Sequence, residues 1–194
     1  MAVSPDGRHV AAGGSAESVV KIYEVSTGRE VRTIQAPQGA TYTLGYSGDG
    51  KYIVGSHADG TLRAWDAELG SEARNLSAAG YVHAYAFSRD GKLMAYPAAD
   101  GSLQIIEMGT WNETASLEGH PGGAWSVAFD PSGRFLASAG KDGSVKVWEV
   151  SSRKMVNALA TGVGQTARLT FTPEGQALVV TGSDSVVRVF GRKK

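Results

Sequence analysis

One register returns five times along this 194-residue chain. An aromatic or apolar residue followed by a polar one precedes a turn at Val3-Ser4, Tyr46-Ser47, Phe87-Ser88, Phe129-Asp130 and Phe171-Thr172, at spacings of 43, 41, 42 and 42. The turn glycines Gly7, Gly50, Gly91, Gly133 and Gly175 keep those spacings. Fifteen or sixteen residues after each comes Tyr23, Trp65, Ile106, Trp148 or Phe190. A fixed period of this length means one supersecondary unit copied in series, and it constrains the fold more than any single motif.

Within each period the apolar residues alternate with period two, as in Val145-Lys-Val-Trp148, Leu62-Arg-Ala-Trp65 and Val187-Arg-Val-Phe190. That is strand periodicity; no stretch carries a helical pattern. Turn signals such as Pro5-Asp6-Gly7, Gly48-Asp49-Gly50 and Arg89-Asp90-Gly91 punctuate the chain, and 26 glycines are spread evenly along it. Each repeat holds four short β-rich runs; in the fourth they are Trp125–Phe129, Phe135–Ala139, Ser144–Val150 and Lys154–Leu159. Four strands per repeat of about 40 to 45 residues predict an all-β propeller, whose small sheets bury both faces against their neighbours. The expected repeats are 1–40, 41–80, 81–122, 123–164 and 165–194, within a single partial propeller over 1–194.

The sequence Gly119-His120, Ser138, Asp142-Gly143 and Val147-Trp148-Glu149 closely resembles the WD-repeat pattern, and the resemblance extends over essentially the whole chain. The other units depart from it: they lack the Gly-His pair, Ile106 and Phe190 replace the tryptophan, and Glu17 replaces the turn aspartate. The resemblance implies a ring of seven blades, about 290 residues at this period. With strands lettered a to d from the propeller centre outward, this chain starts near the end of a strand a and stops just after a strand c. It thus supplies about four and a half blades. A fragment of a longer propeller, a ring completed by a second chain, and an incomplete five-blade ring are the alternatives. The first two are favoured, because unpaired edges and bare apolar blade faces promote association.

Composition narrows the chemistry. With 42% hydrophobic and 20% charged residues the chain can bury a core. The absence of cysteine removes disulfides, thiolate metal sites and cysteine nucleophiles. No apolar run reaches the roughly 18 to 20 residues of a membrane span, and no signal-like segment opens the sequence, so an intracellular protein, cytoplasmic or nuclear, is expected with no membrane contact. The histidines His9, His57, His83 and His120 show no paired metal-ligand spacing. Gly162-Val-Gly164-Gln-Thr-Ala167 leads into a strand, not a helix, so no helix N-terminus awaits a dinucleotide. No cofactor or metal is expected. The sequons at Asn75 and Asn112 lack secretory context, and Asp6, Asp49 and Asp90 sit where turn chemistry explains them.

His120, Ser138 and Asp142 offer the side chains of a hydrolase triad, but triads are recognised by placement, not composition. The resemblance instead implies that they join Trp148 in a buried hydrogen-bond network within one blade. No catalytic residue is expected. The resemblance also implies partner binding at the narrow end, through the d-to-a and b-to-c loops and residues flanking the first bulge of strand a. The candidates there are Tyr42, Tyr81, His83, Trp125 and Gln165, with Lys141 from a b-to-c loop; exposed Tyr and Trp are frequent interface anchors. Packing between blades is the competing role for Tyr42 and Tyr81. The expected function is a non-enzymatic scaffold or adaptor for protein partners in a complex. The alternative is an RNA-associated propeller, because the formal charge of zero hides nine basic and fifteen acidic residues over 1–133 and ten basic and four acidic over 134–194. Without interleaved aromatics, nucleic acid is the less favoured partner.

Overall fold

The aspartate and serine of the first four a-to-b turns dictate where strands reverse. Ser4, Ser47 and Ser88 donate Oγ–H to Asp6, Asp49 and Asp90 Oδ1 at 2.6, 2.6 and 2.7 Å. The same hydroxyls accept the backbone N–H five residues on, at His9, Tyr52 and Leu93. Each turn therefore closes on its own side chains, the local chemistry expected of Asp and Ser at turns. In the fourth repeat the order is inverted: Ser132 donates to Asp130, and Phe135 N–H bonds Asp130 directly at 2.8 Å.

The computed structural model describes residues 1–14, 18–78, 85–161 and 166–191, and there the chain is strands and turns. The strands are β1 (Ala2–Val3), β2 (His9–Gly13), β3 (Val19–Glu24), β4 (Glu30–Gln35), β5 (Thr41–Tyr46), β6 (Tyr52–His57), β7 (Thr61–Asp66), β8 (Glu72–Ser77), β9 (Ala86–Phe87), β10 (Leu93–Pro97), β11 (Leu103–Glu107), β12 (Glu113–Leu117), β13 (Ala124–Phe129), β14 (Phe135–Gly140), β15 (Ser144–Glu149), β16 (Lys154–Ala160), β17 (Thr166–Phe171), β18 (Ala177–Gly182) and β19 (Val187–Gly191). They pair antiparallel, each with its neighbour in sequence, into sheets β1–β4, β5–β8, β9–β12, β13–β16 and the three-stranded β17–β19. The all-β expectation and the four-stranded repeat both hold, and the sheets are those of a partial β-propeller. Among the described residues no helix is long and apolar enough to cross a membrane.

The chain divides into two compact units, Met1–His83 and Ala84–Lys194. In the first, Ala11, Val20, Ile22 and Ile34 of blade 1 pack with Ile53 and Trp65 of blade 2. In the second, Leu103, Ile105 and Leu117 of blade 3 meet Leu136 and Trp148 of blade 4. Ala137, Ala139 and Val145, on the other face of blade 4, meet Leu169, Leu178 and Val180 of blade 5. Alternation thus feeds both faces of the blade 4 sheet, each fully buried Leu, Ile or Val contributing about 1.5–3 kcal/mol.

Candidate functional site

Blade 4 shows what the WD-like residues build. His120 Nε2 lies 2.7 Å from Ser138 Oγ, and Trp148 donates Nε1–H to the same oxygen at 3.0 Å. Behind the ring, Nδ1 lies 3.1 Å from Ser144 Oγ and 3.4 Å from Asp142 Oδ1, while Ser144 donates Oγ–H to Asp142 at 2.8 Å. Ser138 is 0% exposed and Trp148 3%. Indole N–H can only donate. One assignment then satisfies every group: Trp148 to Ser138, Ser138 to His120 Nε2, and His120 Nδ1–H to the Ser144–Asp142 pair. The imidazole is neutral in that chain.

The electrostatics agree. Burial lowers the His120 pKa below its ordinary value, against the opposing pull of Asp142. For Asp142 burial acts upward, but hydrogen bonds from Ser144 and the neighbouring His120 outweigh it and hold the carboxyl low. Ser138 Oγ, buried and engaged on both sides, has no approach for a substrate. The set resembles a triad in composition but is a structural brace joining the d-to-a loop, strand b, the b-to-c turn and strand c.

Two members of this brace carry no sequence label as such. Ser144 supplies the nearer partner of Nδ1. Gly140 makes the room: a Cβ there would collide with Asp142 Oδ1 and the His120 ring. Lys146 adds a bond from Nζ to the Gly119 carbonyl at 2.6 Å, pinning the loop that carries His120.

Blade 2 solves the same problem by exchanging residues. By strand register Gly55 stands where blade 4 has Ser138, and His57 where it has Gly140. The His57 ring lies against Gly55, where an added Cβ would sit 3.0 Å from Nε2, and meets the edge of Trp65 at 5.4 Å. Nδ1 pairs with Thr41 Oγ1 at 3.2 Å, whereas Nε2, buried, has no hydrogen-bond partner among the described residues. Burial lowers the His57 pKa to about 4, with Asp59 opposing and Arg63 assisting. His57, read from sequence only as an isolated histidine, is a core residue at 1% exposure.

The loop end of blade 4 brings two predicted partner residues together. The β13–β14 register shifts between Ala124 and Ser126, leaving Trp125 as the extra residue of a bulge. Bulges re-aim side chains, and Trp125 turns its half-buried ring under Lys141, whose Nζ sits 4.8 Å from the ring centroid. In blade 2 the shift falls between Thr41 and Thr43, so Tyr42 occupies the equivalent place and is half-buried. Tyr81, His83, Gln165 and Glu17 lie outside the described residues, as do Gly162 to Gln165 and the terminal Arg192-Lys193-Lys194. Among the described residues no group of three or more His, Asp or Glu could hold a metal ion.

Residues 28–66 and 111–149 match the family described as WD domain, G-beta repeat. These two stretches are similar to WD repeats. The second contains the whole His120–Ser138–Asp142–Trp148 brace, and the first contains the blade 2 variant built on His57 and Trp65. The chain is 26% identical over 120 residues to the periodic tryptophan protein 2 homolog of Dictyostelium discoideum, covering 61% of this chain and 13% of that protein. It is 31% identical over 101 residues to transcription initiation factor TFIID subunit 5 of Caenorhabditis elegans, 51% of this chain and 16% of that one. It is 28% identical over 103 residues to U3 small nucleolar RNA-associated protein 7 of Saccharomyces cerevisiae, 53% and 19% respectively. The matched region thus spans less than a fifth of each.

Proposed function

We propose that this chain is a non-enzymatic WD-repeat scaffold segment that holds protein or peptide partners of a multiprotein complex at the loop ends of its blades. WD repeats generally mediate protein–protein contacts, and the relatives include proteins named as a subunit of a transcription factor and as an RNA-associated protein. The observation that carries the reading is the Trp125–Lys141 pair, a half-buried indole under a lysine at the end of a braced blade. Such a pair offers aromatic area at low entropic cost with a positive charge beside it, suited to an apolar or acidic peptide. Tyr42 offers the corresponding aromatic on blade 2, and Tyr81, His83 and Gln165 belong to the same proposed face. Ile34 to Leu44 and the order of the units also resemble the WD-repeat subunit of the Ski complex, a cytoplasmic RNA-decay adaptor, which supports large protein partners inside the cell, in cytoplasm or nucleus.

The test is affinity capture with wild type, Trp125→Ala and Lys141→Glu, with and without nuclease. Trp125→Ala is expected to weaken a captured protein by about 2 kcal/mol, roughly thirtyfold, while leaving the melting temperature nearly unchanged. Unchanged capture, or a destabilised chain whose binding is intact, overturns the proposal. Capture that disappears with nuclease and with salt favours the RNA-associated alternative, which draws on the basic excess over 134–194.

A further inference from the structure

Blades 1 and 2 border a groove of about 440 Å³ at the end that carries their a-to-b and c-to-d turns. Its floor is apolar: Ile22, 3% exposed, with Pro5, Val31 and Ala67. The two a-to-b turns touch across it, since a Cβ on Gly50 would sit 3.6 Å from Pro5 Cδ. That contact puts Asp6 and Asp49, the neighbours of Pro5 and Gly50 in sequence, on one rim. A small residue keeps the groove open. Each c-to-d turn begins with a residue whose N–H bonds the carbonyl just before strand b, and there blades 1, 3 and 4 carry Val25, Met108 and Val150 where blade 2 has Ala67.

The rim is acidic, and its acids are only half engaged. Asp6 and Asp49 use Oδ1 on their own turns, accepting Oγ–H from Ser4 and Ser47 and the N–H of Arg8 and Lys51. The Ser4 and Arg8 bonds keep the Asp6 carboxyl below its ordinary pKa; at Asp49 burial acts upward, but the Ser47 and Lys51 bonds outweigh it. Both are therefore charged at neutral pH. Their Oδ2 atoms face Arg8 Nε at 3.9 Å and Lys51 Nζ at 3.8 Å, on side chains 80% and 72% exposed, pairs too long and too wet to hold them. Glu68, exposed at the same groove, forms no ion pair among the described residues. Tyr46 adds a hydroxyl where the matching residues Val3, Phe87, Phe129 and Phe171 have none, and burial, with the charge of Asp6 nearby, raises its pKa so that the phenol keeps its proton. Arg32, which also lines the groove, gives Nη1 to the Leu69 carbonyl at 3.1 Å. The groove between the a-to-b turns of blades 3 and 4, about 310 Å³, differs in charge, for it sets Arg89 beside the carboxylate of Asp90.

We propose that the groove between blades 1 and 2 binds an extended segment of a partner protein through an arginine flanked by aliphatic residues. The guanidinium, with five donors in a planar fork, is suited to the Oδ2 atoms of Asp6 and Asp49, while the aliphatic neighbours cover Val31 and Ala67. Three carboxylates against one arginine that is already engaged select a basic segment over an acidic one. The site is separate from the Trp125–Lys141 pair, which belongs to blade 4 and to the b-to-c end, so each reading stands or falls without the other.

The experiment titrates the full chain into a fluorescein-labelled, terminally blocked peptide, Gly-Ser-Leu-Arg-Val-Ser-Gly, and locates it by amide NMR shifts. Saturable binding that weakens with salt and shifts amides of residues 4–9, 46–50 and 67–68 is expected, and none for the peptide with glutamate in place of arginine. Glu68→Lys should weaken binding about fivefold, the scale of a partly exposed ion pair. Ala67→Val copies Val25 and Val150, so the turn accepts it; by filling the floor it should weaken binding about tenfold with the melting temperature retained. Equal binding of the glutamate peptide, or binding untouched by both variants, overturns the proposal. Loss of binding in Trp125→Ala places the peptide on the other site and overturns it as well. Argininamide that binds as tightly as the peptide also overturns it and assigns the groove to a small cation.

Discussion

Replacing Ser138 with alanine tests the brace at its centre. The substitution removes one oxygen, adds no bulk, and leaves two buried groups without partners: the Trp148 indole N–H, now 3.0 Å from nothing that accepts, and His120 Nε2. Ser138 is 0% exposed and the His120 side chain fully buried, so water does not take over. Each orphaned polar group costs about 1–3 kcal/mol, which puts the loss at about 2–5 kcal/mol. For a unit of this size that corresponds to a fall in melting temperature on the order of 10–20 °C. Calorimetry and urea titration followed by tryptophan fluorescence both measure it. The logic has an internal check. Trp148→Phe removes the donor, so Ser138→Ala should cost at least about 1 kcal/mol less in that background. A loss of less than about 0.5 kcal/mol, the size of a neutral surface change, or strict additivity in the double variant, would refute the account.

Other outcomes follow from single positions. Gly140→Ala should destabilise the second unit by about 3 kcal/mol or more in denaturant titration, because its Cβ would drive into Asp142 and His120. Ser185, exposed at φ 60°, holds the left-handed position that Gly60, Gly101 and Gly143 fill in the b-to-c turns of blades 2, 3 and 4, so Ser185→Gly should stabilise by about 0.5–1 kcal/mol. His57 makes the first unit acid-sensitive. The unfolded histidine takes up a proton below about pH 6.5, whereas the folded one holds it off until about 4, so stability present above pH 6.5 declines as pH falls through that window, by on the order of 3 kcal/mol at most. His57→Asn should flatten that slope; an unchanged slope in melts from pH 7 to 4.5 contradicts the assignment.

Much of the molecule was legible in the chain itself because its causes are local. The Ser-Asp turns close within five residues, and strand alternation shows which face of each run is apolar. Trp125–Phe129 and Lys154–Leu159, read from the pattern, fall within one residue of β13 and β16 at each end. The His120–Ser138–Asp142–Trp148 set was visible because its family pattern is intact in blade 4. Gly140 was not, since a missing Cβ has meaning only once the ring that needs the space is in place.

The sequence alone therefore determined the period, the strands and the turn chemistry, all set by neighbours a few residues apart. Only the tertiary structure decided that His57 takes the ring position in blade 2 and that a bulge swings Trp125 under Lys141. Those outcomes depend on which atoms meet across strands and between sheets, and residues far apart in the chain acquire that relation only when the register is fixed and the core closes.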